Sequence, residues 1–284
     1  MNDYRIKAYA KVNLGLDVLR RLENGYHQVK MIMQSIGLHD ELTLEKAQSG
    51  ISITTDAAGL STGEDNLIWR AAKLMQDKYG AFGIRIHLCK NIPIAAGMAG
   101  GSTDAAAVMK GINHLYGLGI SLSRLMEDGV SIGADVPYCI LGGTALAEGI
   151  GERLTPLPPL PLCHILIAKP DISVSTKDVY QHLDAEGIQS HPDIDSMAAA
   201  LRAGRLDGVL NCMGNVLETV TVPAHPVIDR IKIRMRELGA ANSLMSGSGP
   251  TVFAIFQEED RAQAALNRFR QEGLANQVYL TTSV

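Results

Sequence analysis

Residues 4–10 and 12–20 alternate or run apolar in the manner of β-strands, and Glu23-Asn24-Gly25 then signals a turn. Further strand-like stretches follow at 28–37, 41–46 and 51–54. A polar stretch with Asp65 and Asn66 leads into LIWRAAKLMQDKYG, where Ile68, Ala71, Ala72 and Met75 fall at helical spacing and Gly80 closes the segment. IRIHLCK alternates again, with Ile84, Ile86 and Leu88 on one face. The next stretch, NIPIAAGMAGGSTDAAAVMKG (residues 91–111), carries Gly97, Gly100 and Gly101, then Ser102 and Thr103, then an alanine-rich run that predicts a helix. It therefore joins a strand to a helix.

Beyond it, Ser121 is placed to cap LSRLMEDGV, and GADVPYCILGG leads to a strand, TALAEG. PLPPLP at 156–161 suits either a polyproline ligand for an SH3-type partner or a stiff connector. The apolar run HILIA begins directly after it and favours the connector. The boundary placed there divides the chain into domains 1–157 and 158–284. The second part reads as a strand (163–169), a helix (175–184), further helices to 238, a strand pair around SGSGPTVFAIF, a helix (258–272) and a last strand (276–282). Strands and helices mixed in this way predict an α+β fold with helices on one sheet face.

With 46% hydrophobic and 20% charged residues, the chain can bury a real core. A net charge of −4 gives no global basic field, so nucleic acid and anionic membrane are not expected partners. The N-terminal MNDYRIKAYAKVNLG has no apolar signal-like core, and the prolines of LTPLPPLPLCHILIA exclude a spanning helix there. Cys89, Cys139, Cys163 and Cys212 lie far apart without zinc-ligand spacing, and read as free thiols of a reducing, cytoplasmic protein. The expected partner is a small molecule, and the expected assembly a monomer or weak homodimer.

The glycine-rich stretch looks built for phosphate but lacks the usual lysine. A Walker loop needs Gly-Lys before its hydroxyl residue, and Gly101 is followed by Ser102. The dinucleotide fingerprint fails as well, because Gly97, Gly100 and Gly101 have the wrong spacing. Glycine-exposed amides and the start of a helix capped by Ser102 or Thr103 can hold an anion without lysine. A tight turn packed for its own sake also fits. MSGSGPTVF, with Gly247 and Gly249, precedes a strand and is open to the same two readings. Asp135 in GADVP is either a helix N-cap or a carboxylate that needs a partner among its apolar neighbours. Lys11, in the strand-like AYAKVNLGL, is either solvated or the counter-charge that such a carboxylate needs, with Asn13 on the same strand face.

AKVNLGL, PIAAGMAGGSTDAAA and MSGSGPTVF together resemble the three motifs of the GHMP kinases, a family that includes galactokinase, homoserine kinase and mevalonate kinase. AYAKVNLGLDV, NGYHQV, GADVPYCILGGTALAEGIGERL and KPDISVSTKDVY are similar to one branch of it, nearly end to end. That branch phosphorylates the 2-hydroxyl of cytidine diphosphate methylerythritol in the non-mevalonate route to isoprenoids. The resemblance implies an N-terminal domain like domain 2 of ribosomal protein S5 and a ferredoxin-like C-terminal domain. It implies ATP and Mg²⁺ as cofactors, with Lys11 and Asp135 as the catalytic pair and Asp135 as base. It assigns the ATP phosphates to Pro93, Ile94, Ala95, Ala96, Gly97, Met98, Ala99, Gly100, Gly101, Ser102 and Thr103, and brings Asn66 near the adenine. Substrate contacts fall on Asn13, Tyr26, His27, Asp135, Tyr180, Gly247 and Gly249, with Tyr26 and Tyr180 on opposite faces of the cytosine. The chain departs from the usual motifs in having Tyr9 for proline, and Met98, Ala99 and Thr103 for leucine, glycine and serine. The Mg²⁺ ligands stay open among Ser102, Asp104 and water.

Overall fold

The structure, a computed structural model, describes residues 3–80 and 82–284. The apolar runs at the start of the chain form longer strands than their apparent breaks suggest. β1 (Asp3–Arg21) and β2 (His27–Ala47) are each continuous. From Ala10 to Val18 every residue of β1 is buried, on both faces, so alternation is lost without the strand ending. There follow β3 (Ile51–Thr55), α1 (Leu67–Tyr79), β4 (Gly83–Cys89), α2 (Gly100–Tyr116), α3 (Leu122–Gly129), α4 (Val136–Leu141), β5 (Thr144–Gly149) and β6 (Arg153–Leu157). The remainder comprises β7 (His164–Lys169), α5 (Thr176–His182), α6 (Ile194–Arg202), α7 (Leu206–Cys212), β8 (Gly214–Asn215), α8 (Glu218–Ala224) and α9 (Val227–Glu237). The chain closes with β9 (Asn242–Met245), β10 (Val252–Phe256), α10 (Glu259–Glu272) and β11 (Gln277–Thr282).

Two compact units are interleaved along the sequence. One takes the start of the chain to Ala10, Leu38–Ile94 and Ala99–Gly142; the other takes Lys11–Gly37, Ala95–Met98 and Gly143–Val284. Both β1 and β2 contribute residues to each.

In the first unit, β3 pairs parallel with β4 around the connecting helix α1. β4 pairs antiparallel with the later half of β2, from Glu41 opposite Cys89 to Ala47 opposite Gly83. Leu42, Leu44, Ile84, Ile86 and Leu88 form one side of the core, met by Ala71, Ala72 and Met75 of α1 and by Ala105, Val108 and Ile112 of α2. Gly111 permits the close approach of α2, since a Cβ there would lie 2.8 Å from Cδ2 of Leu44.

In the second unit, the early half of β2 pairs with β5, and β5 with β6. Among the described residues β6 pairs only with β5 and so is an edge strand, which is where a proline such as Pro156 is tolerated. A separate antiparallel sheet has the order β11-β7-β10-β9. Its strands are thus fourth, first, third and second in chain order, with α9 and α10 packed on them, which is the ferredoxin-like arrangement. The fold is α+β, as the pattern predicts. No helix among the described residues is long and apolar enough to cross a membrane.

Candidate active site

Three chain segments of the second unit meet around Lys11. The lysine is 5% exposed, and its Nζ donates to Oδ1 of Asn13 at 2.7 Å. The amide of Asn13 in turn donates to Sδ of Met31 at 3.3 Å. The backbone N–H of Lys11 donates to the carbonyl of Met98 at 3.2 Å, tying β1 to the glycine-rich loop. Lys11 is therefore a buried ammonium held by a neutral amide, not a solvated strand lysine.

The loop turns by an alternation of left-handed residues: Ala95 (φ 52°), Gly97 (φ 70°) and Ala99 (φ 57°). Such backbone in alanine persists only where its surroundings over-determine it. Ala96 and Met98 point inward, 4% and 1% exposed, and act as anchors between the turned residues. Gly97 also packs on the MSGSGP segment: a Cβ there would lie 2.9 Å from the carbonyl oxygen of Gly249, and closer still to that of Ser246. Oγ of Ser246 donates to the Gly97 carbonyl at 3.0 Å. Gly247 (φ 58°) and Gly249 (φ 88°) complete the turn between β9 and β10.

Near the start of this unit's β2, His27 is buried and its ring centroid lies 5.2 Å from that of Tyr180, tilted by 38°. Tyr180 belongs to α5, whose N-cap Ser175 accepts from the amide of Asp178. Tyr26, next to His27 in sequence, stands 59% exposed, a flat surface open to solvent. Burial, and next the charge of Arg21, lower the pKa of His27, so its imidazole is neutral near pH 7 and can both donate and accept.

In the first unit, α2 begins at Gly100 with Ala99 as N-cap, and among the described residues no side chain caps it. The expectation that Ser102 or Thr103 caps this helix is corrected. The left-handed Ala99 starts the helix early and puts both hydroxyls inside the first turn. Thr103 is spent on a hydrogen bond to the carbonyl of Tyr9 at 2.8 Å. The first amides of α2 thus keep their hydrogen-bonding capacity for an anion. Ser102 is half-buried, and its Oγ lies 3.8 Å from where a Cβ on Gly133 would stand, next to the turn that carries Asp135.

Asp135 occupies the N-cap position of α4 with Pro137 in the first turn, yet among the described residues its side chain makes no capping hydrogen bond. Only its carbonyl serves the helix, accepting from Cys139. The carboxylate remains available for chemistry. Asn66 caps α1: Oδ1 accepts from the amide of Ile68 at 2.8 Å, and Nδ2 donates to the carbonyl of Ser61. Asp104, one of the open metal candidates, is turned inward and 2% exposed, facing Lys90. Burial pushes its carboxyl well above the usual range, and Lys90 only partly offsets this. Of the two side chains considered for Mg²⁺, Ser102 alone presents an accessible oxygen. No group of three or more His, Cys, Asp or Glu among the described residues is placed to hold a metal.

Sequence reasoning misses the residues that brace these segments. Nδ2 of Asn215 donates to the carbonyls of both Met245 and Gly247 at 2.8 Å, and its Oδ1 accepts from the amide of Leu217. Ser246 is visible in the sequence only as part of a glycine-rich string. Asp40, fully buried in β2, accepts from the amides of Asn91 and Ile92 just ahead of the loop. In the sequence Asp40 stands between His39 and Glu41, so no local signal separates it from an ordinary polar strand end.

Uncapped helix amides and glycine-turned loops are features of phosphate-binding enzymes as a class. Models of that class match: the GHMP kinase N-terminal domain over residues 66–143, and the GHMP kinase C-terminal domain over 197–275. The chain belongs to the GHMP kinase family, with its two-domain mixed α/β fold. Within the family it is 53% identical over 283 residues to the 4-diphosphocytidyl-2-C-methyl-D-erythritol kinase of Lachnospira eligens, covering 99% of this chain and 98% of that one. It is 49% identical to the enzyme of the same name from Lachnoclostridium phytofermentans, covering 99% and 97%. A crystal structure of 4-(cytidine 5'-diphospho)-2C-methyl-D-erythritol kinase superposes with a TM-score of 0.85 at 33% identity, over 99% of both chains.

Proposed function

We propose that this chain transfers the γ-phosphoryl group of ATP to the 2-hydroxyl of 4-diphosphocytidyl-2-C-methyl-D-erythritol, in the cytoplasm, on the non-mevalonate route to isoprenoid precursors. The observation that carries this reading is the 53% identity, over 99% of the chain, to an enzyme of that name. The rings of His27 and Tyr180 support it, since a cytosine needs flat surfaces and a neutral donor–acceptor at its edge.

Asp135 acts as general base with Lys11, taking the proton of the acceptor hydroxyl as it attacks phosphorus in line. Asn13, whose oxygen already orients the Lys11 ammonium, holds the methylerythritol part. Amides of the loop from Pro93 to Thr103, together with the start of α2, receive the triphosphate, and Gly247 and Gly249 let backbone approach it. Asn66 lies toward the adenine. The chemistry that a bound Mg²⁺ supplies is neutralisation of charge on the phosphate oxygens, and Ser102 would contribute the protein's oxygen to an ion otherwise held by phosphates and water. Tyr26 and Tyr180 enclose the cytosine. The working species is a monomer or weak homodimer.

ADP release measured with the cytidine substrate, homoserine and mevalonate in parallel tests this. Release with the first alone is expected. Tyr26→Ala and Tyr180→Ala should each raise its KM by roughly tenfold to a hundredfold, the worth of one stacked base. Equal turnover with homoserine or mevalonate would overturn the substrate assignment.

A further inference from the structure

Asp40, Lys90 and Asp104 lie in one buried cluster of the first unit, with side chains 0%, 7% and 3% exposed. They come from β2, the residue directly after β4 and the start of the second turn of α2. Oδ1 of Asp40 accepts from the amides of Asn91 at 2.6 Å and Ile92 at 2.7 Å, the last two residues before Pro93. Its other oxygen pairs with Nζ of Lys90. The same Nζ lies 3.5 Å from Oδ2 of Asp104. It also stands 3.1 Å from where a Cβ on Gly100 would be, so the ammonium sits against the first residue of α2.

The cluster therefore grips the peptide where it enters the glycine-rich loop and again where it leaves. Between those points two alanines hold left-handed backbone. Nothing in their own sequence favours that conformation, so fixed ends are what such a loop requires. We propose that Asp40, Lys90 and Asp104 are positioning residues that clamp both ends of the nucleotide loop, setting its amides for the triphosphate without touching it. Gly100 is part of the device, because a Cβ there would crowd both the ammonium and the side chain of Ile92. The inference rests on the assignment of this loop to ATP.

The test is calorimetric binding of a non-hydrolysable ATP analogue with Mg²⁺, alongside steady-state kinetics with both substrates. Asp104→Ala removes the oxygen facing Lys90 and should weaken analogue binding at least tenfold, with the KM of the cytidine substrate within twofold of the parent. Asp104→Asn restores an oxygen in that place and should return analogue affinity to within threefold. Lys90→Met leaves Asp40 buried without its counter-charge and is expected to fold poorly, so the Asp104 pair carries the test. If Asp104→Ala binds the analogue as the parent does, the clamp is overturned. If Asp104→Ala and Asp104→Asn weaken binding equally, an oxygen facing Lys90 is not what matters, and the clamp is again overturned. Failure of the parent chain to bind the analogue would instead overturn the ATP assignment, and the two results are distinguishable.

Discussion

Substituting Gly97 by alanine perturbs the loop at its tightest point, and the expected cost can be built from two parts. Gly97 sits at φ 70°, where an L-residue costs about 1–2 kcal/mol. Its new Cβ would also lie 2.9 Å from the oxygen and 3.3 Å from the nitrogen of Gly249, with the Ser246 carbonyl nearer still. These are backbone atoms braced by Asn215 and Ser246, so they cannot swing aside as a side-chain tip would. Overpacking of that kind adds about 1–3 kcal/mol, for a total of roughly 2–5 kcal/mol. Gly273 is the control. It caps α10 at φ 66° with nothing within 4 Å of an added methyl, so Gly273→Ala should cost only the first part. Urea unfolding of both variants and the parent measures the total, and ATP-analogue affinity measures what appears as a displaced loop instead. If Gly97→Ala loses no more stability than Gly273→Ala and binds the analogue as the parent does, the packing argument is wrong.

Asp135→Asn should lower kcat by roughly 10²–10⁴ while analogue affinity stays within threefold, because the carboxylate caps nothing in α4; near-parental kcat would remove it as the base. His27 has a native pKa below 6.5, so the unfolded chain takes up its proton first. Its contribution to stability is whole above about pH 6.5 and is lost as pH falls through the native value. Unfolding at pH 7.5 and 5 should therefore show a larger loss in the parent than in His27→Gln, and equal losses would refute this. Burial pushes the Cys163 thiol up to about 12. At pH 8 roughly one thiol in 10⁴ is ionised, so native alkylation read by mass spectrometry should spare Cys163. Half-buried Cys89 and Cys212 should react ahead of it, and early labelling of Cys163 would contradict its burial.

Much of the fold is legible in the sequence because periodicity reports burial on one face. Ile68, Ala71, Ala72 and Met75 are the buried residues of α1, and Ile84, Ile86 and Leu88 line one side of β4. Where both faces are buried the signal fails, so β1 and β2 look broken and Lys11 cannot be told from a solvated lysine. The proline-based boundary is a single cut in the chain, whereas compactness divides β1 and β2 along their length, at points without any shift in composition. The start of α2 is hidden for a different reason: hydroxyl residues are good caps, and no local property of Ala99 announces a positive φ. Asp40, Lys90 and Asn215 escape notice because the partners that give them meaning lie 30 to 52 residues away.

The unfinished first turn of α2 has a thermodynamic consequence. A helix whose opening amides find no side-chain cap among the described residues can be completed by an anion, so under the proposed function a bound nucleotide would be a structural part of the helix. Stability then follows occupancy, rising by about 2.7 kcal/mol at a ligand concentration a hundred times Kd. Melting temperatures measured in phosphate or sulfate buffers would report partly filled protein. The amides of residues 100–102, which lie ahead of the first intrahelical bond from Thr103 to the Ala99 carbonyl, should exchange with solvent fastest in anion-free solution, and slow together as ATP is added.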